Sequence, residues 1–169
     1  MDIQSVIQSQ YHASLEMLAQ VVEKCPPDLW NREEDKNRFW RLAYHALFYT
    51  HLYLSSSDED FIPWEKHREK YHNMGPAPEP PHEVFQPETP YTKAEILEYH
   101  QFLKDKVDGL VDAVDLHAES GFYWLPFSKL ELQLYNLRHL MQHVGELGER
   151  LGHSANLEVD WVGMHRKDS

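Results

Sequence analysis

Apolar residues recur along this chain at helical spacing, in four stretches separated by turn-forming residues. The first runs from about residue 2 to 24, with Ile3, Val6, Ile7, Met17, Leu18 and Val21 as its apolar stripe. Gln10 and Ser14 lie on the same face at mid-length. Cys25-Pro26-Pro27-Asp28 stops it, because proline has no N–H with which to continue a helix. The second stretch, about 36–54, is apolar almost all round, from Phe39 and Trp40 to Leu52 and Tyr53, which predicts a deeply packed helix. Its polar strip is Arg38, Arg41 and His45. The third, about 92–118, opens on a capping box, Thr92 with Glu95, and a hydrophobic staple, Tyr91 with Ile96. The fourth, about 128–152, repeats the device with Ser128 and Glu131, and Phe127 with Leu132. Its expected stripe is Leu130, Leu134, Leu137, Met141, Val144 and Leu151.

Residues 55–91 join the second and third helices. Pro76, Pro78, Pro80, Pro81, Pro87 and Pro90 exclude a long helix there, while 61–71 leaves room for a short helical piece. A connection of this length can return the chain along a whole helix, so helices two and three are expected to be parallel neighbours. The expected fold is all-α: a four-helix bundle, up-down-down-up, with a long Pro-rich crossover between helices two and three. It is read as one domain spanning 1–169, with a tail from 153 onward whose Trp161 packs back before the end frays.

Composition narrows the function. Hydrophobic residues at 41% and aromatics at 12% describe a globular chain with a real core. The formal charge of −12 comes without any cluster of Lys and Arg, so nucleic acid and anionic membrane are poor partners. No apolar run has the length of a membrane span, and Met1-Asp2-Ile3-Gln4 lacks a basic signal region, which makes the cytoplasm the expected location. The single Cys25 permits no internal disulfide.

Histidine changes the picture more. The chain has 12 histidines in 169 residues, and His139 and His143 stand four apart on the fourth helix, one turn from each other. About one such pair is expected by chance at this density, so the spacing alone is weak. Depth adds to it. His45 lies roughly 15 Å into the second helix, at ~1.5 Å per residue, and the fourth helix runs the opposite way, so all three imidazoles reach one level. Three histidine ligands with an open fourth position suit a transition metal. His143 falls at the edge of the expected stripe near Asn136, and His139 one step toward the polar side, which puts the site at a helix seam partly open to solvent. The ordinary alternative is three core or helix-edge histidines bonded to neighbours.

Gln10, Ser14 and His100 reach a similar depth and are candidate neighbours of the site, His100 as a packed residue and not a fourth ligand. Tyr49 follows His45 by one turn and Glu146 follows His143 by three; neither is a compelling general base. Arg41, with Arg38, is either surface charge or a cation that draws an anionic ligand. His51 points about 120° from His45 and lies outside the site. His12 lies opposite the first helix's stripe and is expected to be solvated. His67, His72, His82, His117, His153 and His165, on the crossover, helix ends and tail, are expected at the surface.

Phe39-Trp40-Arg41-Leu42-Ala43-Tyr44-His45, followed by His139-Leu140-Met141-Gln142-His143-Val144-Gly145-Glu146, resembles the DinB-like (DinB/YfiT) superfamily of metal-binding four-helix bundles, over about residues 5–152. The resemblance implies a divalent metal, zinc or nickel, on His45, His139 and His143, and a homodimer. It also implies, from some relatives, metal-dependent transfer or isomerisation on a small-molecule substrate with a low-molecular-weight thiol such as bacillithiol or mycothiol. Hydrolysis is the sibling reading. A non-catalytic metal-binding or structural dimeric bundle is the alternative. The family's name points to DNA damage, but the acidic charge gives DNA binding no support.

Overall fold

The structure is a computed structural model that describes residues 2–76 and 80–165. It is all-helical: α1 (Ile3–Lys24), a single turn α2 (Pro27–Trp30), α3 (Phe39–Tyr53), α4 (Lys93–Asp112) and α5 (Lys129–Ala155). Among the described residues the β pairings are two isolated bridges, Pro76 with Val84 and Glu119 with Ser128.

The helix starts follow their caps. The Asp2 carboxylate accepts the Gln4 N–H at 3.2 Å. Thr92 and Glu95 close a reciprocal box, with Glu95 N–H on the Thr92 hydroxyl at 3.2 Å and Thr92 N–H on the Glu95 carboxylate at 2.7 Å. At Ser128 the hydroxyl accepts Glu131 N–H at 3.2 Å. α3 begins at Phe39, with its first apolar residue and three residues after the expected start at 36. Arg38 stays extended, and its guanidinium and the Trp40 indole both donate to the Asn31 side-chain oxygen, at 3.0 and 2.9 Å. α4 ends at Asp112, short of the expected 118, because the carbonyls of Leu116 and Ala118 instead accept Leu130 N–H and Lys129 N–H across the α4–α5 loop. α5 runs on to Ala155 and stops at Asn156, which takes the left-handed conformation usual after a helix end (φ 54°).

α3 packs most extensively on α5 and also on α4, while α1 packs between α4 and α5. The buried cluster joins Tyr11, Leu15 and Leu18 of α1 with Trp40, Tyr44 and Leu47 of α3, Tyr99 and Leu103 of α4, and Leu140 and Leu147 of α5. Polar contacts register these pairs. Lys129 donates to the Ser55 and Ser56 carbonyls at 2.9 and 2.6 Å, Asn136 to the Thr50 carbonyl at 3.1 Å, and Arg150 to the Asn37 carbonyl at 2.6 Å.

The apolar stripes need two corrections. Ile3 and Val6 are 49% and 47% exposed, beyond the reach of the neighbouring helices. On α5 the buried face is Leu132, Gln133, Asn136, Leu140, His143, Val144, Leu147 and Leu151, while Leu134 is exposed. The face turns this way because Gln133 and Asn136 are buried polar residues with partners, Tyr11 and Thr50, that an apolar count does not see. His143 therefore lies on the core face instead of its edge.

The crossover contains no helix over 61–71. Separate turns close there through His67 N–H to the Trp64 carbonyl and Tyr71 N–H to the Arg68 carbonyl, and Lys70 has φ 66°, which a right-handed helix cannot continue through. Trp64 is buried and stacks on Tyr99 at 4.7 Å. Arg68 lies over the Tyr91 ring at 4.2 Å and bonds Glu95 at 3.0 Å, tying the crossover to the start of α4. Pro78 lies outside the described residues. The tail does pack back, along α1: Asp160 N–H meets the Gln20 side chain at 2.9 Å, and His165 N–H meets the Ser9 hydroxyl at 3.2 Å. Trp161 nevertheless stays exposed. The fraying expected at the end falls on residues 166–169, outside the described ones. Among the described residues no helix is long and apolar enough to cross a membrane.

Candidate metal centre

α3 and α5 bring three imidazoles to one point. His45 Nε2 lies 3.1 Å from His139 Nε2, and His143 Nε2 lies 3.2 Å from the same atom. The ring centroids are 4.7–5.0 Å apart. The ligand atoms of the three all fall within 4.8 Å of one another.

The other ring nitrogens decide the tautomers. His45 Nδ1 sits 2.7 Å from the His72 carbonyl oxygen, which only accepts, so Nδ1 carries the proton. Neutral His45 then presents a bare lone pair at Nε2. His143 Nδ1 sits 3.2 Å from the Glu146 carboxylate, which gives the same result. His139 Nε2 faces two acceptors and can donate to only one of them. Its Nδ1 is buried and, among the described residues, has no hydrogen-bond partner. Converging lone pairs left unmatched inside a protein call for a cation. Zinc–nitrogen bonds of about 2.0–2.1 Å at tetrahedral angles put ligand nitrogens roughly 3.3 Å apart, close to the two spacings found here.

Electrostatics keep these rings ready to ligate. Burial pushes His45 down to about 3, with the neighbouring imidazoles opposing a further positive charge, although the His72 carbonyl works the other way. Burial, then His143, pushes His139 down to about 4. Both are neutral at pH 7, the form a metal binds.

The surroundings divide. Glu146 holds His143 and is itself held by Arg150 at 3.2 Å, which approaches Asp35 at 3.8 Å. The Tyr49 ring packs on His45 and His139, with centroids 4.7 and 5.5 Å away, and burial raises its phenol above the ordinary value, so it stays protonated. A cavity of about 750 Å³ opens beside His45 and Tyr49, walled on the crossover side by Met74, Val84 and Phe85. Arg41 is buried and bonds the crossover; it is not surface charge. Asn136 is buried between α5 and α3.

Three expected neighbours are elsewhere. Gln10 is exposed and bonds the tail carbonyl of Gly163 at 3.3 Å. Ser14 returns its hydroxyl to the Gln10 carbonyl at 2.8 Å. His100 donates to the Leu15 carbonyl at 2.9 Å, on the α1–α4 side. Equal depth misled, because a bundle level has several sides and α1 and α4 pack on each other. His12 is also not solvated: it is buried and 2.9 Å from Asp108 on α4. His67 bonds the Tyr44 hydroxyl at 2.7 Å, and His72 stacks on Phe48 at 3.9 Å, so neither is a free surface ring. His51 lies apart from the triad, among Phe61, Tyr99 and Phe102.

Two contributors escaped the sequence reading. Arg150 follows Glu146 by four, a spacing that could have signalled it. His72 acts through its main-chain oxygen, which leaves no mark in a sequence.

A family model described as the DinB superfamily matches residues 10–147. No curated protein and no solved structure matches the chain.

Proposed function

The chain belongs to the DinB superfamily, and from that premise we propose that it is a metal-dependent enzyme whose divalent ion sits on His45, His139 and His143. The observation that carries this reading is the convergence of three Nε2 atoms, two of them fixed as lone pairs by the His72 carbonyl and the Glu146 carboxylate. Bound there, an ion supplies a Lewis acid with a coordination position that three protein ligands leave open. Nitrogen donors suit zinc or nickel. The protein's own share is to cover His45 and His139 with the Tyr49 ring, to hold the ligand tautomers, and to offer the neutral Tyr49 phenol as a donor.

The reaction class follows from the resemblance: transfer onto or from a small molecule with a low-molecular-weight thiol, or hydrolysis. The bundle is read as up-down-down-up, a single domain, cytoplasmic and homodimeric. The bond of Arg150 to the start of α3 and that of Lys129 to its end support the antiparallel half of this topology. A non-catalytic metal-binding bundle is the second reading. It is favoured by Glu146, a carboxylate bonded to the triad, having both oxygens engaged, one by His143 and one by Arg150, which leaves neither free to take a proton from a ligand.

The test loads the metal-free protein with zinc, nickel or cobalt and measures bound ion by elemental analysis, followed by a screen for thiol-dependent transfer and for hydrolysis. One ion per chain, with activity lost to a chelator and restored by one metal, is expected. One ion per chain with no activity in either screen would select the non-catalytic reading. A chain that takes up no ion would overturn the site.

A further inference from the structure

Arg41 lies one turn before His45 on α3 and is 3% exposed. A buried guanidinium has to find acceptors. Its Nη2 donates to the main-chain carbonyls of Asn73 and, at 2.8 Å, of Phe85. These carbonyls stand on the two limbs of the crossover, which the Pro76–Val84 bridge joins. The residue before Asn73 is His72, whose carbonyl takes the His45 Nδ1 proton at 2.7 Å. A single peptide step thus separates what Arg41 grips from what orients His45.

We propose that Arg41 is a positioning residue for the triad: by fixing residues 72–73 against α3, it keeps the His45 proton on Nδ1 and the lone pair on Nε2, aimed at His139 and His143. The proposal rests on the triad being a metal site. It differs from the expectation that Arg41 draws an anionic ligand, since Nη2 is committed to the crossover. Were the limb released, Nδ1–H would lose its acceptor and the ring its preferred tautomer, and orienting partners of metal-bound histidines set affinity in this way. Arg38, on the same strip, bonds Asn31 instead.

The experiment titrates Co(II) into the full chain and into Arg41→Met and Arg38→Met, reading affinity and the visible ligand-field spectrum, with circular dichroism as a check on folding. Arg41→Met is expected to bind Co(II) about 10–100-fold more weakly, with an altered spectrum, while Arg38→Met stays at wild type. A merely structural role would lower thermal stability and leave the spectrum of the bound ion unchanged. If Arg41→Met does not fold, Arg41→Gln is read, with at least a roughly threefold loss expected. Wild-type NMR adds a readout free of any variant: the His45 ring proton is expected on Nδ1, slow to exchange with water. Unchanged Co(II) affinity and spectrum in the Arg41 variant, or the proton found on Nε2, would overturn the proposal and leave the triad standing. A wild-type chain that binds no Co(II) would remove the triad reading and this one with it.

Discussion

At the scale of single residues, the three imidazoles are not equivalent. His45 and His143 have acceptors for their Nδ1 protons, whereas among the described residues His139 Nδ1 has none. His45→Ala is expected to weaken zinc binding more than 100-fold, beyond the roughly 10–100-fold typical of losing an orienting partner, as read by competition with a chromophoric chelator. Glu146→Ala should fall within that 10–100-fold range, and Glu146→Gln below it, because an amide oxygen still accepts the His143 proton. Equal losses for Ala and Gln would mean that the negative charge acts and not the bond. His51 supplies a pH test away from the triad. Burial, helped by Lys106, pushes it down to about 4, while the unfolded chain's histidine titrates near ~6.5. The unfolded state therefore binds the extra proton first, and stability is lost as pH falls from about 6.5 toward 4. Between pH 7 and 5 the loss from this group is on the order of 2 kcal/mol, and urea unfolding of His51→Phe should lose that much less than wild type. The triad was legible because histidine carries its chemistry in the side chain. The His72 carbonyl was not, since every residue but its context offers the same oxygen.

At the scale of elements, what could be read was what local chemistry dictates. Thr92 with Glu95 announced α4, and both bonds of the box form. Removing that cap by Thr92→Ala should cost about 1 kcal/mol in chemical denaturation. The turned face of α5 was hidden, because Gln133 and Asn136 belong to the core through Tyr11 and Thr50, partners more than eighty positions away in the chain. The missing crossover helix was hidden likewise: nothing local to 61–71 says that Trp64 will stack on Tyr99. The α4–α5 loop offers a sharper test. Gly121 has φ 83°, and a Cβ there would stand 2.1 Å from the Ser56 carbonyl oxygen, a backbone atom already held by Lys129. Gly121→Ala is therefore expected to cost more than ~1 kcal/mol, the usual scale for strained left-handed backbone alone, because the clash is with main chain that cannot step aside. A variant as stable as wild type would mean the loop can lift off the end of α3.

At the scale of the whole molecule, the triad ties α3 to α5, whereas α1 and α4 hold each other through contacts of their own, such as His100 to Leu15 and His12 to Asp108. An ion that binds the folded chain and not the unfolded one stabilises it by about 2.7 kcal/mol at a hundredfold excess over its dissociation constant. Calorimetry should show this as a rise in Tm on adding zinc to metal-free protein, and no rise in His45→Ala. The distribution of the gain is the stronger test. Without the ion, neutral rings whose lone pairs converge disfavour close approach of α3 and α5, so the seam between them should open more often than the rest. Amide exchange in metal-free protein is then expected to quicken around Tyr44–Phe48 and Leu140–Val144, and in residues 70–73 that the His72 carbonyl and Arg41 connect to the site. The amides around Leu15 and Leu103 should change less, because α1 and α4 pack extensively on each other. Uniform quickening across all helices would instead mean that the ion stabilises one cooperative unit, and the division into a metal-dependent seam and an independent pair would be wrong.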